Sequence, residues 1–215
     1  MNKTILIIGM HRSGTSLISH LCCEMGMSLG KKECLTEADP GNTDGYWENK
    51  EFTELNDRVL EKAGGTWFNP PGKDKIEKVV DEFKEEAKKL VNKHKGSLWG
   101  IKDPRLIYTL PIYELKNVHI VFARRNVKNI INSIYRSHIA AISPDYRQID
   151  RIKWLCEEYI ERGAELAKQY PSAMVYYENF FKNPRKEIQK IADFLEYDKS
   201  VNSLKKIIKP ELKHF

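Results

Sequence analysis

The chain has 215 residues, of which 41% are hydrophobic and 31% charged, and its formal net charge at pH 7 is +6. This length and composition exclude an intrinsically disordered chain and predict a single folded domain over residues 1–215. The basic residues are spread over predicted helical surfaces rather than gathered into one run, so the charge does not favour a nucleic-acid-binding protein.

Predicted strands and helices alternate along the chain. Short apolar runs predict strands over 4–8, 97–101, 118–123 and 173–177. Apolar residues at helical spacing predict helices from Thr15 to a stop signal at Gly26, and over 49–62, 73–95, 126–138, 149–169 and 184–195. The segment 31–47 is predicted to be an irregular loop. This alternation predicts an α/β fold of three layers, in which helices flank a central, mainly parallel sheet.

A glycine-containing loop follows the first predicted strand. Residues 9–16 read GMHRSGTS, and in this setting backbone N–H groups and a helix N-terminus can bind a phosphate. Gly9 and Gly14 have the spacing of a nucleotide-hydrolysing P-loop, but Thr15 occupies the position of its lysine. The positive charge lies instead at Arg12, whose guanidinium can contact phosphate oxygens and stabilise charge on a departing group.

The loop resembles the phosphosulfate-binding loop of the PAPS-dependent sulfotransferase superfamily, in which a Lys or Arg and one further residue precede Gly-Thr-Thr or Gly-Thr-Ser. Here that motif consists of Arg12, Ser13, Gly14, Thr15 and Ser16. The resemblance implies that these residues bind the 5′-phosphosulfate of the donor 3′-phosphoadenosine-5′-phosphosulfate (PAPS). His11, in the same loop, is a further candidate for contact with the donor. It also implies 3′-phosphoadenosine-5′-phosphate (PAP) as the product.

A second motif follows the third predicted strand. Arg125 stands at the strand terminus and Ser133 lies eight residues later on the next helix. The paired donors of an arginine and the hydroxyl of a serine can converge on one phosphate. The spacing is similar to the 3′-phosphate-binding motif of the same superfamily. This resemblance implies that the two residues bind the 3′-phosphate that distinguishes PAPS from ATP.

A third motif, WGIKDPRL, covers residues 99–106 and resembles the Lys-Asp-Pro element of tyrosylprotein sulfotransferases and related bacterial enzymes. The resemblance implies that Lys102 lies near the transferring group, where an ammonium can stabilise charge that develops during transfer. Asp103 is interpreted as a residue that orients Lys102 or acts as a base. We expect no metal requirement, because Arg12, Lys102 and loop amides replace the role of magnesium in phosphoryl transfer.

Sulfuryl transfer also needs a group that takes the proton of the acceptor hydroxyl. Glu48 lies in the segment GYWEN, which resembles a segment of bacterial relatives. Glu33 lies about as far beyond the loop as the catalytic glutamate of the tyrosylprotein enzymes. We rank Glu48 first, Glu33 second and Asp103 third as the base, and the sequence does not decide among them.

Two alternatives remain open at this point. A P-loop kinase or ATPase needs a Walker lysine, which is absent, and an acidic metal ligand at a strand end, for which Asp103 is the candidate. A non-catalytic nucleotide-binding protein of the same fold would share the motifs without turnover. Measurement of donor turnover with a panel of acceptors separates this second alternative from an enzyme.

The acceptor is defined only as a molecule with a free hydroxyl: a glycan, a small molecule or a tyrosine. The basic balance and short loops favour a polar or anionic, glycan-like acceptor, and both a monomer and a homodimer are compatible with the sequence.

The apolar run 5–8 is too short for a membrane span and lacks signal-peptide features, so we expect a cytoplasmic protein. The cysteines lack zinc-like spacing and are expected to be buried free thiols: Cys22, Cys23, Cys34 and Cys156.

Overall fold

A computed structural model describes residues 3–39, 42–136 and 148–209. In these ranges four parallel strands form one sheet in the order β2-β1-β3-β4. The strands are β1 (Lys3–Ile8), β2 (Leu98–Lys102), β3 (Val118–Arg124) and β4 (Ser172–Tyr176). Each strand lies within one residue of its predicted bounds, so the predicted parallel sheet is confirmed.

The predicted helices are also present. The described helices are α1 (Thr15–Glu24), α2 (Lys50–Lys62), α3 (Lys73–His94), α4 (Leu106–Thr109), α5 (Val127–Tyr135), α6 (Ile149–Gln169), α7 (Asn179–Lys182) and α8 (Pro184–Leu195). The short helices α4 and α7 were not predicted, nor were the 3-10 segments Lys32–Cys34, Leu110–Ile112 and Val201–Ile207. The last residues of the helix predicted over 126–138 lie outside the described residues.

The central strand β1 packs helices on both faces of the sheet. Ile5 and Ile7 contact the side formed by α1 and α8, whereas Leu6 and Ile8 contact the side formed by α2, α3 and α6. Successive side chains of a strand point to opposite faces, and all four of these are fully buried. The continuous apolar run is therefore explained by burial on both faces, as the predicted three-layer fold requires.

Because the strands are parallel, their carboxyl ends meet at one edge of the sheet. Ile7 pairs with Lys102, and Arg124 pairs with Tyr176. The loop after β1, the Lys-Asp-Pro turn after β2 and the arginine pair at the end of β3 consequently lie side by side. This edge is where open α/β sheets bind ligands.

The cysteines are free thiols, as expected. Cys22 and Cys156 are buried, whereas Cys23 and Cys34 are partly exposed, so the expectation of burial is correct for two of the four. Burial raises the pKa of the Cys23 and Cys156 thiols to about 12.

Within the described ranges, no helix has both the length and the apolar character needed to cross a membrane.

We expect Gly163→Ala to lower the free energy of unfolding. A Cβ at Gly163 in α6 would lie 2.4 Å from the ring of Phe122, which is enclosed in the core. Overpacking of this kind costs about 1–3 kcal/mol, and the gain in helix propensity offsets about 1 kcal/mol of that cost. Urea unfolding measures the difference, with Gly96→Ala as the control because its Cβ would meet no atom closer than 3.9 Å. Equal stability of both variants would contradict the described packing of α6 on β3.

Candidate active site

The loop after β1 is built on two glycines in the left-handed region. Gly9 has φ of 146°, and a Cβ there would lie 2.6 Å from the carbonyl oxygen of Ala123. Gly14 has φ of 91°, and a Cβ there would lie 2.2 Å from the ring of Tyr177. Both positions therefore require glycine, because neither the backbone conformation nor the neighbouring strand ends leave room for a side chain.

Arg12 is the residue that joins the loop to β3 and α5. Its backbone has φ of 68°, and its carbonyl oxygen accepts a hydrogen bond of 2.7 Å from Nη1 of Arg125. Its Nε donates to Oγ of Ser133 at 3.0 Å. The guanidinium of Arg125 also lies 4.4 Å from the centre of the Tyr177 ring. Three residues predicted to bind the donor therefore form one connected group.

Burial opposes the charge of both guanidiniums in this group. Removal from water lowers the pKa of Arg12, while Tyr46 and Tyr177 act in the opposite direction. Burial also lowers the pKa of Arg125. Tyr177 and Glu178 act in the opposite direction, but the net pKa of Arg125 is still lowered. An anionic ligand would restore the favourable interactions that burial removes from these two side chains.

The N-terminus of α1 faces the same cleft. Gly14 caps the helix without any side-chain hydrogen bond, and the first turn carries no acidic residue. The hydroxyl of Ser13 is buried and finds no hydrogen-bond partner among the residues that the structure describes. Thr15 is buried, and Ser16 donates through Oγ to the carbonyl oxygen of Tyr46 at 3.2 Å. The loop thus offers helix N–H groups and a hydroxyl to an anion.

Lys102 lies at the end of β2 with only 2% of its side chain exposed. Its Nζ donates to the carboxylate of Glu48 and, at 2.9 Å, to the carbonyl oxygen of Tyr46. Trp47, between these two partners, has φ of 60°, and this turn brings both of them to the ammonium. Glu33 lies exposed on the 3-10 segment Lys32–Cys34 and does not line the cleft.

Asp103 is fully buried behind the cleft rather than in its lining. Its carboxylate accepts hydrogen bonds from Nδ2 of Asn56 at 2.8 Å and from the backbone N–H and Nη1 of Arg105 at 2.9 and 3.0 Å. Burial alone would lower the pKa of Arg105, but Asp103 and Asp57 raise it above its ordinary value. These contacts join Asp103 to Asn56 and Arg105 rather than to Lys102, so the two predicted roles of Asp103, to orient Lys102 or to act as a base, stay predictions.

The side chain of His11 points away from α1, toward α6. Its ring packs 4.2 Å from the ring of Trp67 and 5.9 Å from that of Tyr159, measured between ring centres. Its Nε2 is buried, and within the described part of the chain no group forms a hydrogen bond with it. His11 lines the cleft, but its side chain lies on the face of the sheet opposite to α1.

The cleft also contains residues that sequence reasoning missed. The amide of Asn42 donates to Oγ of Ser16 at 3.1 Å and to the carbonyl oxygen of Gly45 at 2.6 Å. The ammonium of Lys209 donates to the carboxylate of Asp44. These contacts join segments far apart in the chain, and the only signal for them was the irregular loop over 31–47. Further cleft residues not predicted are His20, Tyr177, Phe181 and Ile207.

We expect Asp103→Ala to destabilise the fold by about 3–5 kcal/mol, because it leaves the buried guanidinium of Arg105 without its main partner. Asp103→Asn keeps an acceptor oxygen and should cost less. Urea unfolding measures both losses, and Asp81→Ala, which removes an exposed carboxylate paired with Lys84, should leave stability unchanged. An Asp103→Ala variant of normal stability that has lost turnover would instead indicate a base.

Comparison with known proteins agrees with this geometry. The sulfotransferase domain of the olefin synthase from Synechococcus PCC 7002 is 18% identical, with a TM-score of 0.53 over 93% of this chain and 75% of that chain. A sulfotransferase domain from the curacin biosynthetic pathway is 15% identical, with a TM-score of 0.51 over 99% of this chain and 77% of that chain. These two structures share the fold. A family model described as a sulfotransferase domain matches residues 2–213, and the chain therefore belongs to the sulfotransferase domain family.

Proposed function

We propose that this protein transfers the sulfuryl group of PAPS to an acceptor hydroxyl. One observation carries the proposal: cations from the ends of three adjacent strands line a single cleft beside the N-terminus of α1. These cations are Arg12, Lys102 and Arg125. A donor with anionic groups at both its 5′ and 3′ positions matches this concentration of positive charge.

The residues around the loop fit the two ends of such a donor. The buried, unpartnered hydroxyl of Ser13 and the amides of Gly14 to Ser16 are suited to the 5′-phosphosulfate. Arg125 and Ser133 are suited to the 3′-phosphate. Because Arg12 contacts both of these residues, the two anion sites adjoin.

Lys102 and Arg12 are proposed to stabilise the charge that develops on the departing phosphate oxygen. The Lys102 ammonium is held by the carboxylate of Glu48 and the carbonyl oxygen of Tyr46, so little reorganisation is needed during the reaction. Among the three carboxylates ranked as bases, Glu48 is the one that lines the cleft. Its contact with Lys102 supports a positioning role for Glu48.

The kinase alternative is less well supported by the same contacts. Thr15 stands where a Walker lysine would contact the phosphates. Asp103, the candidate metal ligand at a strand end, already accepts hydrogen bonds from Asn56 and Arg105. The non-catalytic alternative predicts donor binding without turnover.

The acceptor is proposed to be a molecule with a free hydroxyl, and a glycan is the class that the sequence favours over a small molecule or a tyrosine. Single-domain organisation, a cytoplasmic location, the absence of nucleic-acid binding, and a monomeric or homodimeric state stay predictions. Each follows from the sequence arguments given above.

The donor proposal is tested by calorimetric titration with PAP and, separately, with ATP and magnesium. We expect PAP to bind and ATP to bind much more weakly, because Arg125 and Ser133 bind a 3′-phosphate that ATP lacks. Arg12→Ala and Arg125→Ala should each weaken PAP binding about 10- to 100-fold, as expected for charge-assisted hydrogen bonds. Arg124→Ala, the neighbouring substitution, should have a smaller effect. Preference for ATP, or no effect of Arg125→Ala, would contradict the donor assignment.

The catalytic role of Lys102 is tested with Lys102→Met, which retains the length of the side chain but removes the charge. Turnover of PAPS should fall about 10²- to 10³-fold, and PAP should also bind more weakly, because PAP keeps the 5′-phosphate oxygens that Lys102 is proposed to contact. Lys50→Met, which removes an exposed lysine paired with Glu37, should retain wild-type turnover.

Turnover of PAPS by the wild-type protein should persist in the presence of a chelator. Loss of turnover on metal removal would refute the metal-independent mechanism.

A further inference from the structure

A half-buried histidine, whose Nε2 has no hydrogen-bond partner among the described residues, is left unexplained by the binding of the donor. Buried side-chain nitrogens normally carry a hydrogen bond, and Nε2 of His11 is shielded from solvent without one. The imidazole nevertheless belongs to a residue that lines the cleft, only one position before Arg12. Such an atom is explained if its partner arrives with a substrate.

The ring of His11 lies on the face of the sheet opposite to α1, where we infer that the acceptor binds. Its backbone is part of the loop that faces α1, whereas its ring lies against Trp67 and Tyr159 on the opposite face of the sheet. Trp67 is half-buried and lies in the connection between α2 and α3. An acceptor bound on this side of the loop would lie beside the imidazole of His11, which lines the cleft together with Arg12 and Lys102.

Charged groups around His11 keep the imidazole neutral in the absence of ligand. Burial lowers its pKa well below 6.5, and three cations lower it further: Arg105, Lys102 and Arg12. Arg105 is itself paired with Asp103 and Asp57, and Lys102 with Glu48. On the α6 side the neighbouring titratable group is Tyr159, whose own pKa is raised by burial, so it stays a neutral phenol.

The carboxylates that could compete for the role of base are less suitable. Glu33 is outside the cleft, both oxygens of Asp103 accept hydrogen bonds, and Glu48 holds the ammonium of Lys102. Protonation of Glu48 would weaken this ion pair when Lys102 has to stabilise negative charge. A neutral imidazole has no such conflict.

We propose that His11 is the general base of the transfer, a conclusion that rests on the proposed donor. The acceptor oxygen forms a new bond to sulfur, and the bond between sulfur and the 5′-phosphate oxygen breaks with its electron pair remaining on PAP. The acceptor proton passes to Nε2 of the Nδ1–H tautomer of His11, which gives an imidazolium that later releases the proton to solvent. The products are the sulfate ester, PAP and one proton.

Donor binding would also adjust the basicity of His11. The cations that lower its pKa in the free protein include Arg12 and Lys102, which are the residues proposed to contact the anionic donor. When the negative charges of the donor offset the positive charges of Arg12 and Lys102, the imidazolium is less disfavoured. The pKa of His11 then rises. The base therefore becomes effective when the donor is in place.

Nuclear magnetic resonance of histidine-labelled protein tests this coupling without any acceptor. His11 is assigned by the signal that disappears in His11→Gln. We expect His11 to be neutral at pH 6.5 in the free protein, and its pKa to rise when PAP saturates the site. Saturation with PAP that leaves the pKa of His11 unchanged would overturn the inference alone. Failure of the wild-type protein to bind PAP would overturn the donor proposal and this inference together.

Kinetics with labelled PAPS and a panel of phenol, monosaccharide and alkyl alcohol acceptors gives the second test. At saturating PAPS, the wild-type kcat/KM for the acceptor should fall as the pH drops through the pKa of His11 in the donor complex. The reason is that the base must be deprotonated to accept the proton. His11→Gln should lower kcat about 10²- to 10⁴-fold, remove this acid limb and retain PAP affinity. The matched control His119→Gln, at a partly exposed position on β3, should behave as the wild type. An acid limb that survives in His11→Gln but disappears in Glu48→Gln would assign the base to Glu48 and refute the inference.

Discussion

The hydrogen bond from the guanidinium of Arg125 to the carbonyl oxygen of Arg12 is the contact on which the cleft depends. Arg12 adopts a left-handed backbone conformation, which costs a residue other than glycine about 1–2 kcal/mol. The conformation is kept because Arg125 is fixed at the end of β3 and packs on the ring of Tyr177. The shape of the loop after β1 is thus set by contacts with the ends of β3 and β4, and not by the loop sequence alone.

The same contact explains how the protein keeps several cations close together. Each cation is desolvated and held by neutral acceptors or by a carboxylate: Arg12 by Ser133, Lys102 by Glu48 and Tyr46. Fixed positive groups in a site shielded from water interact with an anion more strongly than the same groups in solvent. Their geometry is formed during folding, so the conformational cost is met before a ligand arrives.

The sequence predicted the features that depend on local patterns. Strand and helix bounds follow from apolar periodicity, and the helix predicted over 184–195 has those bounds in the structure, where the Asn183 side chain accepts from the N–H of Lys186. The orientation of His11 and the pairing of Lys102 with Glu48, by contrast, depend on contacts between residues distant in the chain. The short helix α4 escaped prediction because four residues are too few for a periodic signal.

The close contact between Gly14 and the Tyr177 ring limits how this scaffold can change over evolution. A side chain at position 14 would displace Tyr177, and with it the aromatic face against which Arg125 packs. A descendant that acquired a bulkier loop would therefore have to alter the strand ends at the same time, through mutations at widely separated codons. By contrast, Trp67 lies in a connection between helices, away from this group, so this connection can change in sequence without displacing Tyr177 or Arg125.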